Sequence, residues 1–508
     1  MTRKDVANRK LTRFLKCSPV AGALACLLTQ TAAAQPSNEP GVGPAAPAPL
    51  APIPAAPTPA QVPSQDALPP DAALPNQGFP ASEQPLPATT PDPTPPAAEP
   101  APLAPLSELA VAAEPKEVPP TVKSSKEGFS LQSDDKSFVL KFRGYIQADT
   151  RLFFDDVDPQ PAHTFLLRRV RPIFEGTLYQ YFSFRLMPDF GGGQTTIQDA
   201  HVDVKPLKEV ALRFGKYKAP FGLERLQSAT NILFVERALP TQLAPNRDVG
   251  AQVYGDIADT LSYALGIFNG VPDGGSADAD LDRDKEFVGR LFAHPFRPLG
   301  VDALKDFGVG VAVSTGSVEG TQAAPTLPTY RSAGQQAIFR YRAGADLATT
   351  VVADGARRRV SPQLYYYYGP FGVLGEYVAS SHEVGLGDET EELNHQAWQA
   401  SATLVLGGKV SYEGVKPDSA VGEGGIGAFE LSGRYEGLRI DRDAFPVYAN
   451  PAASVRDAQG FGVGVGWWAN RAARFLLNFQ TTSFEGGAAE DGERASEKVV
   501  LARSQIAW

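Results

Sequence analysis

"IQDAHVDVKPLKEVALRFGKYKAPFGLERLQSATNILFVERALPTQLAPNRDVG", residues 197–250, contains the change of pattern on which the fold turns. Residues 201–205 and 210–215 alternate in character and are joined by Pro206-Leu207-Lys208-Glu209, which predicts a β-hairpin. From Lys216 to Arg247 the alternation is gone. Yet Phe221, Leu223, Leu226, Ile232, Leu233, Phe234 and Val235 make the segment too apolar for a solvated surface loop. It has to pack inside something. The same segment carries Lys216, Lys218, Arg225, Arg237 and Arg247 against Glu224 and Glu236, an excess of three positive charges in a chain of net charge −10.

The enclosure is read from the flanking sequence. In residues 138–152 the even positions are Phe138, Leu140, Phe142, Gly144, Ile146 and Ala148, and the odd ones include Lys141, Arg143, Tyr145, Gln147, Asp149 and Arg151. One face is greasy and the other polar, as in a barrel with lipid outside and water inside, or in a sandwich with one wetted face. Similar segments recur near 165–179, 181–187, 249–255, 261–269, 286–294, 308–315, 358–368, 372–380, 396–406, 428–439, 460–468, 475–483 and 498–508; with the hairpin they approach sixteen strands. No stretch of 18 apolar residues is present, which excludes helical spanning. The last strand sets Val500, Ala502, Ile506 and the terminal Trp508 on one face and Arg503 and Gln505 on the other. The fold class expected is all-β: a transmembrane antiparallel β-barrel of about 16 strands, with the apolar segment folded inward as a constriction loop.

Local details fill in the barrel. Trp467 and Trp468 before a short turn, and the run Tyr365 to Tyr368 before Gly369-Pro370, are expected at the membrane interface. Residues 270–284, 316–347, 383–394 and 486–497 are expected as the long outer loops, alternating with short turns at the other rim.

Ahead of the barrel, residues 1–34 read as a signal peptide: Arg3, Lys4, Arg9, Lys10, Arg13 and Lys16 precede the apolar run 20–28 and Ala32-Ala33-Ala34. Both cysteines, Cys17 and Cys26, fall in it, so disulfides and thiolate metal sites are excluded from the mature chain. Its removal, six basic residues and one acidic, leaves a net charge of about −15, which argues against a nucleic-acid partner. Residues 35–120 are Ala- and Pro-dominated and cannot bury a core; they are expected as a disordered periplasmic linker. Residues 121–508 are then the barrel domain. No cofactor and no metal is expected.

Ions crossing such a barrel would meet the charges of the inward loop where the lumen is narrowest. A cationic constriction favours small anions such as phosphate and chloride. Alternation adds the inward candidates Lys141, Arg143, Arg151, Arg169, Arg171, Arg185, Arg213 and Arg434, mixed with Asp149, Glu175, Asp199, Asp203 and Glu430. Inward pairs of opposite sign could instead neutralise one another and hold the wall. Arginine suits phosphate, because its planar fork gives paired charge-assisted hydrogen bonds.

The stretch "FGKYKAPFGLERLQSATNILFVERALP" resembles the phosphate-selective porin O and P family of outer-membrane channels. So do "TFLLRRVRPIFEGTLYQYFSFRLMPDF" (164–190), "SPQLYYYYGPFGVLGEYV" (361–378) and "GAFELSGRYEGLRID" (427–441). The resemblance implies passive anion diffusion across the outer membrane of a Gram-negative bacterium, in contact with its lipid, and a homotrimer. It also implies a role for both Arg168 and Arg169. Strict alternation turns only one of them inward, so either a β-bulge admits both or Arg168 lies beyond the lipid band. The expected anion path comprises Arg143, Arg168, Arg169, Arg171, Arg185, Arg213, Lys216, Lys218, Arg225, Arg237 and Arg434. Two departures from the family pattern remove positive charge: Thr230 stands where phosphate-specific members carry a lysine, and Tyr145 where they carry an arginine. General anion preference is therefore expected rather than tight phosphate specificity.

Three alternatives stay open. A general porin without ion preference keeps the same fold. An outer-membrane barrel enzyme would need a nucleophile constellation, whereas His163, His201, His294, His382 and His395 are scattered. A secreted β-sandwich would need its apolar faces closed on each other.

Overall fold

The computed structural model describes residues 121–125, 128–154, 161–280 and 282–508. The expected signal peptide and linker lie outside the described residues. The strands in chain order are β1 (Thr121–Ser125), β2 (Gly128–Gln132), β3 (Phe138–Phe153), β4 (Thr164–Leu178), β5 (Phe182–Asp189), β6 (Thr196–Val204), β7 (Ala211–Lys218), β8 (Arg247–Ile257), β9 (Leu261–Phe268), β10 (Glu286–Ala293), β11 (Phe307–Glu319), β12 (Thr329–Arg331), β13 (Ala337–Arg340), β14 (Val352–Tyr368), β15 (Phe371–Leu386), β16 (Glu389–Leu406), β17 (Gly408–Ser411), β18 (Gly414–Pro417), β19 (Ala428–Arg439), β20 (Val455–Trp468), β21 (Ala473–Gly486) and β22 (Glu497–Ala507).

Sixteen of them, β3 to β11, β14 to β16 and β19 to β22, pair antiparallel in sequence order and close where β22 meets β3, from Val499↔Phe153 to Ala507↔Tyr145. Closure matters physically: an open edge would leave backbone N–H and C=O groups unpaired in hydrocarbon. β22 ends before it reaches the start of β3. The β1–β2 hairpin takes over that edge, pairing Phe129↔Phe142 through Gln132↔Val139. The alternation of β3 gave no hint of this hairpin.

Side-chain parity follows the sequence reading. Phe138, Leu140, Phe142 and Ile146 are exposed on the outer face, while Tyr145, Gln147 and Asp149 are buried inside. On β19, Phe429, Leu431 and Tyr435 face out, and Glu430, Arg434 and Glu436 face in. The C-terminal Trp508 seats against β3, its N–H donating to Gly144 O at 2.9 Å and its O accepting from Gly144 N at 3.0 Å.

Three expectations need correction. Residues 383–394 form no long loop: β15 and β16 pair as far as Leu386↔Glu389, and Gly387, at φ 61°, turns the chain in two residues. Trp467 does face out, stacked between Phe429 and Phe475, but Trp468 points in and donates from Nε1 to Glu430 at 2.8 Å. Tyr365 and Tyr367 also point in, because a run of four tyrosines on a strand must alternate.

The tight turns 179–181, 205–210, 258–260, 369–370 and 469–472 share one rim with the start of β3 and with Trp508. That rim has two longer connections, residues 294–306 between β10 and β11 and residues 407–427, which include the β17–β18 hairpin.

Candidate functional site

Residues 219–246, between β7 and β8, fold into the lumen. Phe221, Leu223, Phe234, Val235 and Leu243 are fully buried there, each worth about 1.5–3 kcal/mol relative to exposure. Phe221, Leu239 and Leu243 share a core with Val378 of β15, Ala397 of β16 and Leu438 of β19. Leu223 packs with Tyr367, Leu374 and Val405, and Val235 with Leu476 and Leu501. The loop thus leans on the β14–β22 wall. Buried wall groups tie its backbone: Asn478 Oδ1 accepts from Val235 N at 2.7 Å, Gln147 Nε2 donates to Ala229 O at 2.9 Å, and Arg474 donates to Ile232 O at 2.8 Å.

Two further segments close on it. From the rim of long loops, the β12–β13 hairpin buries Tyr330, Ile338 and Phe339 in the same core, and Glu497 pins it by accepting from Ser332 Oγ at 2.7 Å and Gly334 N at 2.8 Å. From the opposite rim, the β17–β18 hairpin sends Tyr412 under the loop: its Oη donates to Leu223 O at 2.6 Å, and its O accepts from Gln227 Nε2 at 2.7 Å. Sequence reasoning missed both hairpins, since their few apolar residues lie among glycines and polar residues and set up no period.

Filling one half of the lumen leaves the other open. A cavity of about 1260 Å³ runs along the inner faces of β3 to β8, from Lys141 and Trp508 to Arg331 and Gln335. Its lining holds thirteen basic residues and seven acidic ones.

The charges of the loop differ from the sequence count. Lys216 and Lys218 belong to β7 and Arg247 to β8. Residues 219–246 themselves carry Glu224, Arg225, Glu236 and Arg237, with no net charge. Lys216 shares parity with the outward Leu212 and Phe214, pairs with Asp278, and is absent from the lining. Arg434 is also absent from it: its guanidinium lies 4.4 Å from the Phe234 ring, donates to Glu236 O at 3.0 Å and pairs with Glu436 at 3.3 Å.

Of the remaining candidates, most are paired. Arg143 meets Glu175 at 2.8 Å; Arg185 meets Glu175, and Asp199 at 3.0 Å. Arg171 meets Asp189 at 2.7 Å and Arg213 meets Asp203 at 2.6 Å. Arg247, counted from the sequence among the charges of the inward segment, meets Asp199 at 2.9 Å. The register of β3 on β4 slips between Gln147↔Arg169 and Ala148↔Leu167, leaving Arg168 as the extra residue of a bulge. Both arginines therefore reach the lumen. Arg168 Nε donates to Glu236 at 2.8 Å, and Arg169 donates to Gln147 Oε1 at 2.8 Å. Burial alone would raise Glu236, but Arg168 beside it holds this loop carboxyl well below the usual carboxylate range.

Five lining cations form no ion pair among the described residues: Arg331, which donates to Gln335 O at 3.0 Å toward the rim of long loops, and four that gather around the inward loop. Lys218 donates to Leu226 O at 3.1 Å and Gln227 O at 2.9 Å; Arg237 donates to Glu224 O at 3.1 Å and to Gln227 O at 2.7 Å. Arg225 donates to Thr241 O, and Arg169 is the fourth. Burial, and then the neighbouring Arg237 and Arg247, push the Arg225 guanidinium below its usual value. The positive charges repel one another across the cavity.

The model of the family described as "Phosphate-selective porin O and P" matches residues 140–508. Porin O of Pseudomonas aeruginosa is 24% identical over 392 residues, 70% of this chain and 85% of that protein. Among solved structures, the outer membrane channel DcaP of Acinetobacter baumannii shares the fold, with a TM-score of 0.50 at 10% identity over 74% of this chain and 99% of that one. The match begins inside β3 and runs through the inward loop to the last strand: the chain is an outer-membrane β-barrel channel and belongs to the phosphate-selective porin O and P family.

Proposed function

We propose that the open half of the lumen is a water-filled path for passive diffusion of small anions, phosphate and polyphosphate among them. One observation carries the reading. Of seven lining carboxylates, six are tied to cations, whereas Arg169, Lys218, Arg225 and Arg237 hold only uncharged oxygens. An anion entering can replace carbonyl contacts with charge-assisted bonds, and a cation cannot.

The name of the family supports phosphate as a substrate. Thr230 at the loop tip and Tyr145, whose Oη accepts from Arg171 at 2.9 Å, favour a broader anion preference. Assembly as a homotrimer, a cleaved signal at 1–34 and a periplasmic tether at 35–120 belong to the same proposal. The test is the reversal potential of the purified protein in a planar bilayer under a KCl gradient, followed by added phosphate. Chloride crossing faster than potassium, with phosphate blocking the chloride current, supports the reading. Faster potassium refutes it, and unbiased crossing would return the general porin.

A further inference from the structure

The seventh lining carboxylate is Glu413. It forms no ion pair and no hydrogen bond among the described residues, and it is exposed to the cavity. It lies between Tyr412 and Gly414 at the tip of the β17–β18 hairpin, where Gly414 adopts φ 100° to make the turn. The tip is fixed in place. Tyr412 stacks on Tyr365 with ring centroids 5.2 Å apart, and both its hydroxyl and its carbonyl bond the inward loop. The Gln227 that donates to Tyr412 O is the residue whose own O receives Lys218 and Arg237. A bare negative charge is thus held just beyond the unpaired cations, toward the rim that carries Trp508, which is the periplasmic rim of an outer-membrane barrel.

We infer that Glu413 is an exit residue that makes anion conduction asymmetric. This rests on the anion path proposed above. The carboxylate depletes anions at the periplasmic mouth and leaves supply from the outer mouth untouched. Anions driven inward therefore carry more current than anions driven outward at the same voltage. A unit charge on the order of 10 Å from the path changes the local ion concentration roughly twofold at the dielectric constant of water. The effect is screened at about 1 M salt, where the Debye length is about 3 Å.

The experiment compares full-length wild type, E413Q and E413K in planar bilayers at low and high KCl. The outer side is identified by Asp388→Cys, labelled from one chamber with a bulky maleimide polymer that obstructs the current. Expected at low salt are an inward-to-outward anion current ratio of about 2 for wild type, about 1 for E413Q and below 1 for E413K, all converging on 1 at high salt. E413Q breaks no contact, so its folding is not at risk. An anion-selective wild type whose ratio is unchanged by both substitutions overturns the exit role alone. A cation-selective wild type, read from the reversal potential of the same channels, overturns the anion path and the exit role together.

Discussion

Arg237→Gln removes one unpaired positive charge at the loop while keeping a donor for Gln227 O, which Arg237 holds at 2.7 Å. Arg237 lines the cavity. At about 6 Å from the path, a unit charge contributes about 0.7 kcal/mol at the dielectric constant of bulk water and about 2.8 kcal/mol at an effective value of 20. The substitution acts on both ions at once, since an anion loses the attraction and a cation loses the repulsion. Even the lower figure then shifts the permeability ratio by about 1.4 kcal/mol, or roughly tenfold. The assay is the zero-current potential across a bilayer separating unequal KCl solutions, which moves toward zero in the variant. The control is Arg358→Gln, whose side chain is 60% exposed on the outer surface near Glu392; it leaves the potential where it was. An unchanged ratio in Arg237→Gln, or an equal shift in the control, would show that bulk charge and not the loop cluster sets selectivity.

Asn478→Ala orphans the buried N–H of Val235, costs about 1–3 kcal/mol locally, and should speed amide exchange across residues 219–246 without melting the barrel. Gly144→Ala places a Cβ 2.5 Å from Trp508 Cζ2 and 3.0 Å from Arg171 O; unseating the last residue should lower the fraction that migrates as folded barrel on unheated gels. Glu236 joins the loop to Arg168 and Arg151 at 2.8 and 3.2 Å. A carboxyl held below its ordinary value stabilises fully above that value and loses its contribution only as pH falls through the depressed one. Current noise from loop motion should therefore stay flat from pH 7 to about pH 5 and rise only in stronger acid, whereas Glu236→Gln should be noisy at every pH.

The barrel was legible because lipid and water impose a period of two on every wall strand, and β3 obeys it from Phe138 to Asp149. The inward loop was legible for the opposite reason, since its apolar residues break the period and still need burial. Arg168 marks the limit of parity. Counting alone allowed only one member of the pair inside, and the bulge that admits both is a property of two strands in register. Charge counting failed for a related reason. The sequence shows which residues are basic, but pairs such as Arg247 with Asp199 and Lys216 with Asp278 join strands and loops far apart in the chain.

The same pairing explains how an acidic protein can present a basic path. Desolvated charges on a wall are tolerated when matched, so most inward arginines are matched where the wall is built. What remains for a permeating ion is the small set that the loop satisfies with carbonyl oxygens. A carbonyl dipole stabilises a guanidinium without cancelling its charge, so Lys218, Arg225 and Arg237 keep their field while the loop keeps its shape. In the proposed anion path, selectivity then depends on the loop's backbone as much as on its cations. That places Asn478 and Gln147, neutral groups on the wall that hold the backbone in register, among the residues on which the preference for anions rests.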